Sequence, residues 1–197
     1  MTQPHDPSSR IAADPAHRFP WYVRLFLANQ RRRYGKELEP ARLWARSPKV
    51  FTGLSLLYGA LDRGSSPIDP GLRSLLTVRV SQINWCAFCV DINAATGLKR
   101  GVSEEQFAAL DQFETSPLFD ERQKAALAYA EAMTRTDAGV DEALMARVKK
   151  HFNDDAVIEL TAIIAFQNMS SKFNAALDVA PQGFCRVAPQ PVAKSDE

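Results

Sequence analysis

From residue 20 to residue 180, apolar residues recur at intervals of three and four, which is the helical period and not the two-residue alternation of a strand. "WYVRLFLANQRRRYG" spaces Trp21, Leu25 and Leu27 for a helix that stops at Gly35. "SPKVFTGLSLLYGALDRG" places Val50, Leu54, Leu57 and Leu61 on one face, with Pro48 near its start. "IDPGLRSLLTVRVSQINW" opens with Asp69 as N-cap and Pro70 at the first helical position, then sets Leu72, Leu75, Leu76, Val80 and Ile83 at helical spacing. Ser103 and Gln106 match a capping box. "FDERQKAALAYAEAMTR" and "VDEALMARVKKHF" read as two further helices, the second beginning near Asp141. "NDDAVIELTAIIAFQNMSSKFNAAL" closes the series, capped by Asn153 or Asp154 and lining up Ile158, Ala162, Ala165, Phe166 and Met169. No hairpin or βαβ signal competes, so the pattern predicts an all-α, single-domain helical bundle of about eight helices over residues 19–180. Residues 1–18 and 181–197 are polar and proline-rich, lack the period, and read as N- and C-terminal tails.

Charge narrows the partners. Lys and Arg number 24 against 23 Asp and Glu, so the basic excess that neutralises phosphates is missing and nucleic acid is not an expected partner. The run "RRRY" at 31–34 reads as the solvated face of a helix. The N-terminus lacks the charged start and apolar stretch of a secretory signal, and "VIELTAIIAFQNM" falls short of the ~20 apolar residues of a membrane span. The expectation is a cytoplasmic protein with no membrane partner. Continuous apolar helices such as "LSLLYGAL" predict a homo-oligomer.

Three cysteines do not make a disulfide scaffold, and the chemistry therefore concentrates in "NWCAFCVDINAATG", residues 84–97. If a helix starts at or just before Cys86, then Cys86, Cys89 and Asn93 form one stripe at i, i+3 and i+7. Helical α-carbons three apart lie within the ~4.4 to 6.8 Å that a disulfide accepts, so reversible oxidation is geometrically open. The helix dipole favours a thiolate in the first turn, which singles out Cys86 as the more reactive thiol. "WCAFCV" is also apolar enough for two plain core cysteines. A closed zinc site needs four ligands, and Cys185, His5, His17 and His151 are scattered singly, so no metal and no bound cofactor are expected. Among other candidates, Asp91 points away from Cys89, and a carboxylate near the thiol would raise its pKa. Arg79 is either a cation near the pair or a rim residue paired with a carboxylate. Glu159 can turn inward or stay solvated, His151 meets helix-end carbonyls, and Cys185 is a spare thiol in the tail.

The stretch "LLTVRVSQINWCAFCVDINAATG", residues 75–97, resembles the carboxymuconolactone decarboxylase and alkylhydroperoxidase D-like superfamily of small, all-helical, oligomeric proteins. There, serine, glutamine and asparagine lead into C-x-x-C, and a glycine closes the helix. "DDAVIELTAIIAFQNMSSKFNAAL", residues 154–177, resembles the family's last long helix. The resemblance implies that Cys89 attacks peroxide and Cys86 resolves it. It also implies a proton relay from a glutamate and a histidine, and those positions here hold Ser74 and Asn93. Asn93 keeps hydrogen-bonding capacity but cannot accept a proton and carry the charge, which removes a contribution of ~10²- to 10⁴-fold. The expected activity is thus a thiol-dependent peroxidase or disulfide reductase, weakened by loss of the relay, acting on a small-molecule peroxide or disulfide and recharged by an external dithiol. The alternatives are a non-peroxidase helical oligomer acting as a redox-sensing or binding protein, and a cofactor-free lyase.

Overall fold

The computed structural model describes residues 9–11 and 17–185, so most of the two segments read as tails lies outside the described residues. Among those residues the chain forms nine α-helices and one 3-10 turn, with no strand. They are α1 (Trp21–Tyr34), α2 (Glu39–Ala45), α3 (Pro48–Leu61), α4 (Pro70–Ile83), α5 (Ala87–Lys99), α6 (Glu104–Ala108), α7 (Glu121–Thr134), α8 (Glu142–Lys149) and α9 (Asp154–Ala176), with the 3-10 turn at Leu110–Gln112.

The punctuation residues act as the sequence indicates. Gly35 ends α1 at φ 75°, in the left-handed region that a side chain disfavours. Asp69 accepts from the backbone N of Leu72 at 2.8 Å, and Asn153 from that of Ala156 at 2.9 Å. Ser103 and Gln106 close both halves of a capping box, and Asp120 and Gln123 form a second one at the start of α7.

Helix α4 is the axis of the fold. Leu72 to Leu76 and Val78 to Gln82 are all buried, because α5, α7 and α9 pack around it. Gly97 lets α5 come close: a Cβ there would stand 2.4 Å from the Phe107 ring and 2.9 Å from Ser74 Cβ. A larger core is shared by α4, α5, α6, α7, α8 and α9. A smaller one, made by α1, α2 and the start of α3, contains Cys86, Phe88 and Cys89. The cysteine pair therefore lies where the α1–α3 layer covers the main bundle.

Three of the expected apolar stripes meet the core only in part. In α1, Val23 and Leu27 are buried while Trp21 and Leu25 are 71% and 62% exposed. In α3, Phe51 and Leu61 turn inward and Val50 and Leu57 do not. In α9, Ile158 is 70% exposed and Met169 42%, while the inward face carries Val157, Leu160 and Ile164 and then Gln167, Ser171 and Asn174. These helices are apolar on more than one side, so period alone could not say which stripe meets the core.

Candidate active site

The site is built on the turn between α4 and α5. Cys86 is the N-cap of α5 and not a residue of its first turn, which begins at Ala87, one residue later than the stripe argument assumed. Trp85, just before it, sits at φ 58°, a left-handed conformation that costs a non-glycine residue of order 1 kcal/mol. That turn is fastened from outside. Asn84 Nδ2 donates to Asn168 Oδ1 and to Ser171 Oγ, both at 2.9 Å, and the Cys86 backbone N donates to the Ser81 carbonyl at 3.0 Å. Gln167 Nε2 donates to Ser81 Oγ at 2.8 Å. Ser81 and Asn84 thus tie the cysteine turn to α9, and every member of this network is uncharged. Gln82, between them, accepts instead from Arg79 Nη1 at 3.2 Å.

Both thiols are free and buried, Cys86 at 1% exposure and Cys89 at 3%. Cys86 Sγ accepts from the backbone N of Cys89 at 3.2 Å, the capping role that a serine or aspartate fills elsewhere. Asn174 Nδ2 donates to Cys89 Sγ at 3.2 Å. Burial pushes the Cys89 thiol well above its ordinary value of 9.0, and its hydrogen bond to Cys86 pushes the same way, against the Asn174 and Gln167 amides that favour the thiolate. Asn174 Oδ1 is buried with no hydrogen-bond partner among the described residues. A rotated amide would turn that oxygen toward the sulfur and accept from the protonated thiol, so the same side chain serves either state.

Cys89 opens on a cavity of about 210 Å³. Its walls are largely aromatic, including Phe26, Trp44, Phe51, Phe88 and Phe166, and it is floored by Gln167 and Asn174. No charged side chain lines it, and Cys86 does not reach it. Asn93 lines this cavity with Cys89, so the i, i+4 spacing does bring those two together. Ser74 does not reach it. Its hydroxyl donates to the Pro70 carbonyl at 3.1 Å, and it lines a smaller compartment of about 50 Å³ that Asn93 also borders. Tyr58, half-exposed, stands between the two spaces, and burial of its hydroxyl together with Asp62 pushes its pKa up to about 12, which excludes it as a base near neutrality.

The remaining candidates lie elsewhere. Asp91 is buried and accepts from the backbone N of Gln182 at 2.8 Å and of Cys185 at 2.6 Å, so it fastens residues 182–185 to α5. Arg79 is paired with a carboxylate, Glu131, but deep in the fold instead of at a rim. Glu159 meets Arg63 and Ser66, and the Arg63 guanidinium holds its carboxyl below the ordinary range. His151 is exposed past the end of α8. Among the described residues no three His, Cys, Asp or Glu side chains gather as metal ligands, and no helix is long and apolar enough to cross a membrane. Asn174 and Gln167 are the site residues that sequence reasoning missed. Their signal was available, because polar residues at 167, 171 and 174 repeat at helical spacing within an otherwise apolar helix.

Three similarities bear on this arrangement. The Escherichia coli K12 protein YnjA, itself uncharacterized, is 41% identical over 173 residues, covering 88% of this chain and 95% of that one. A peroxidase-related protein from Silicibacter superposes with a TM-score of 0.80 at 23% identity, covering 98% of this chain and all of its own. The debrominase Bmp8 superposes with a TM-score of 0.73 at 21% identity, over 83% of this chain and 88% of its own, and a variant of it has been solved with 2,3,4-tribromopyrrole. At these identities the two structures speak for the fold. Residues 48–132, which carry α4, the cysteine turn and α5, match the carboxymuconolactone decarboxylase family. With the C-x-x-C turn at a helix start and a relative matched along nearly its whole length, the chain belongs to the carboxymuconolactone decarboxylase family, and its all-helical fold is shared with alkylhydroperoxidase D-like structures.

Proposed function

We propose that the protein is a thiol-dependent peroxidase or disulfide reductase that cycles the Cys86–Cys89 pair between dithiol and disulfide. The observation that carries this is the division of labour at the turn: Cys89 opens on the cavity, while Cys86 lies behind it, in hydrogen-bonding contact with Cys89. Cys89 thiolate attacks one peroxide oxygen, the O–O bond breaks, and an alkoxide leaves and takes up a proton as the alcohol. The resulting sulfenic acid condenses with the Cys86 thiol, forming the S–S bond and releasing water. An external dithiol then reduces the disulfide and is itself oxidised.

The electrostatics predict slow turnover. The cavity contributes amides and hydroxyls but no group that titrates near neutrality, and burial favours the unreactive thiol. The same feature favours a second reading, a redox-sensing or binding protein that oxidises stoichiometrically and does not turn over. Consumption of cumene hydroperoxide with dithiothreitol decides between them. Catalytic loss of peroxide that vanishes in Cys89→Ser, with sulfenic acid accumulating in Cys86→Ser, supports the peroxidase. One equivalent consumed per chain supports the sensor. A third arm offers 2,3,4-tribromopyrrole with the same dithiol, and bromide release there would move the reaction to reductive debromination.

The outer stripe of α9 supports a homo-oligomer as the working form. Ile158, Ala162, Ala165 and Met169 follow the alternating four-three spacing of a helix seam, and Ile158, Ala165 and Met169 are exposed. Light scattering at micromolar concentration should give a multiple of 21.9 kDa, and Met169→Glu should lower it. A monomeric mass for the unsubstituted chain would remove this part of the reading.

A further inference from the structure

The compartment beside the Cys89 cavity is as charged as the cavity is neutral. The two spaces share Tyr58, Asn93, Thr96, Phe166 and Gln167, so they meet along these five residues. Arg73, Arg100 and Asp62 line the smaller one. Arg100 Nη2 donates to both carboxylate oxygens of Asp62 at 2.8 Å and points Nη1 at Ser74 Oγ, 3.5 Å away. Arg73 is 5% exposed, and its Nη1 caps α3 by donating to the carbonyls of Leu61 and Arg63 at 3.0 and 2.9 Å. Its Nε is buried with no hydrogen-bond partner among the described residues, because the nearest carboxylate oxygen, of Asp62, lies 3.8 Å away. Counting the neighbouring Arg63–Glu159 pair, three guanidiniums face two carboxylates.

A buried guanidinium N–H without an acceptor is costly, and a buried cation in excess of its counter-ions more so. Both costs disappear when one monoanion enters. The space of about 50 Å³ admits a group of a few heavy atoms. A planar carboxylate is the anion best matched to guanidinium donors. Its organic body would have to lie in the adjoining cavity, which is aromatic and uncharged.

We infer that the Arg73–Arg100 compartment is a carboxylate-binding subsite, and that the natural ligand of the larger cavity is a small, apolar or aromatic organic acid whose uncharged part lies over Cys89. The inference names the ligand class for the site discussed above. It rests on the location of that site and not on peroxide chemistry, since binding is read without any redox step.

The test uses 4-fluorobenzoate and its neutral counterpart 4-fluorobenzyl alcohol as ¹⁹F NMR probes of the reduced full-length protein at neutral pH. The expected result is at least tenfold tighter binding of the carboxylate. Arg100→Gln, and independently Ser74→Glu, which brings a competing carboxylate to Arg100, should each erase that preference and leave the alcohol's affinity unchanged. Ser74→Glu guards against the case in which Arg100→Gln frees Asp62 and fails to fold, and circular dichroism confirms the fold of each variant. Equal binding of the two probes, absence of 4-fluorobenzoate binding, or a carboxylate preference that survives both substitutions overturns the inference. Displacement of 4-fluorobenzoate by chloride at equal concentration also overturns it, because the compartment would then be a site for any small monoanion. Failure here leaves the peroxidase assay untouched, and loss of peroxidase activity leaves the binding result standing.

Discussion

Two adjoining spaces with five wall residues in common have opposite electrostatics. Around Cys89 the polar groups are amides, hydroxyls and a second thiol, and the aromatic walls exclude charge. Beyond the shared residues, Arg73, Arg100 and Asp62 concentrate charge around a gap a quarter of the size. The neutral side can hold an apolar molecule against a sulfur but cannot take up its proton. The charged side can hold an anion but offers no group that changes protonation near neutrality, since guanidiniums do not deprotonate and Tyr58 is pushed up to about 12. The Cys89 sulfur and the charge are thus separated, and stabilisation of its thiolate depends on hydrogen bonds alone.

The largest effect should come from removing the main one. Asn174 donates to Cys89 Sγ at 3.2 Å, and a hydrogen bond to a charged group contributes roughly 1.5–3 kcal/mol. At 1.36 kcal/mol per pKa unit, Asn174→Ala should slow alkylation of Cys89 by iodoacetamide about tenfold or more at pH 8, read by mass spectrometry of the folded, reduced protein. Unchanged alkylation would mean that Gln167 alone sets the thiolate population.

A gain should follow from giving the neutral cavity the group it lacks. Asn93→His places an imidazole one turn from Cys89 on the same wall, and turnover of cumene hydroperoxide should rise on the order of tenfold, below the full general-base factor because no residue there orients the ring. The rise should follow deprotonation of the imidazole in a pH profile. A flat profile with unchanged rate, in a variant of normal melting temperature, would show that proton transfer does not limit the reaction.

What the sequence disclosed and what it hid divide along a physical line. The helices were legible because caps and stops are local: Asp69, Ser103, Asn153 and Gly35 each act on the three or four residues beside them. The pairing of Cys89 with Asn93 was legible for the same reason. Burial of a face was not. Ile158 and Met169 satisfy the helical period as well as Val157 and Leu160 do, and only the packing of α4 and α7 against α9 selects between them. Asn174 and Gln167 were hidden because a polar residue in a long helix is ordinarily solvated, and 85 residues separate Asn174 from the sulfur it touches. Asp91 was read correctly as turned away from Cys89, but its partners, the backbone N–H groups of Gln182 and Cys185, lie in a segment with no period to follow.

The smallest effect tests the neutral cavity through stability. The folded pKa of Cys89 is raised above its ordinary value of 9.0, so below that pH the thiol is protonated in both folded and unfolded chains and imposes no difference. Above it, the unfolded chain releases the proton while the folded chain retains it, and unfolding gains up to about 1.4 kcal/mol per pH unit until the folded pKa is passed. The reduced protein should therefore lose urea resistance from pH 9 to 10 more steeply than Cys89→Ser, whose hydroxyl does not titrate there. The difference between the two curves isolates Cys89 from the lysines and tyrosines that also titrate in that window. Oxidising the pair in the unsubstituted chain should flatten its curve toward that of the serine variant, since a disulfide sulfur has no proton to hold. Identical slopes for the reduced chain and Cys89→Ser would show that the thiol is not held in a proton-retaining environment, and that the separation of sulfur from charge has no energetic consequence.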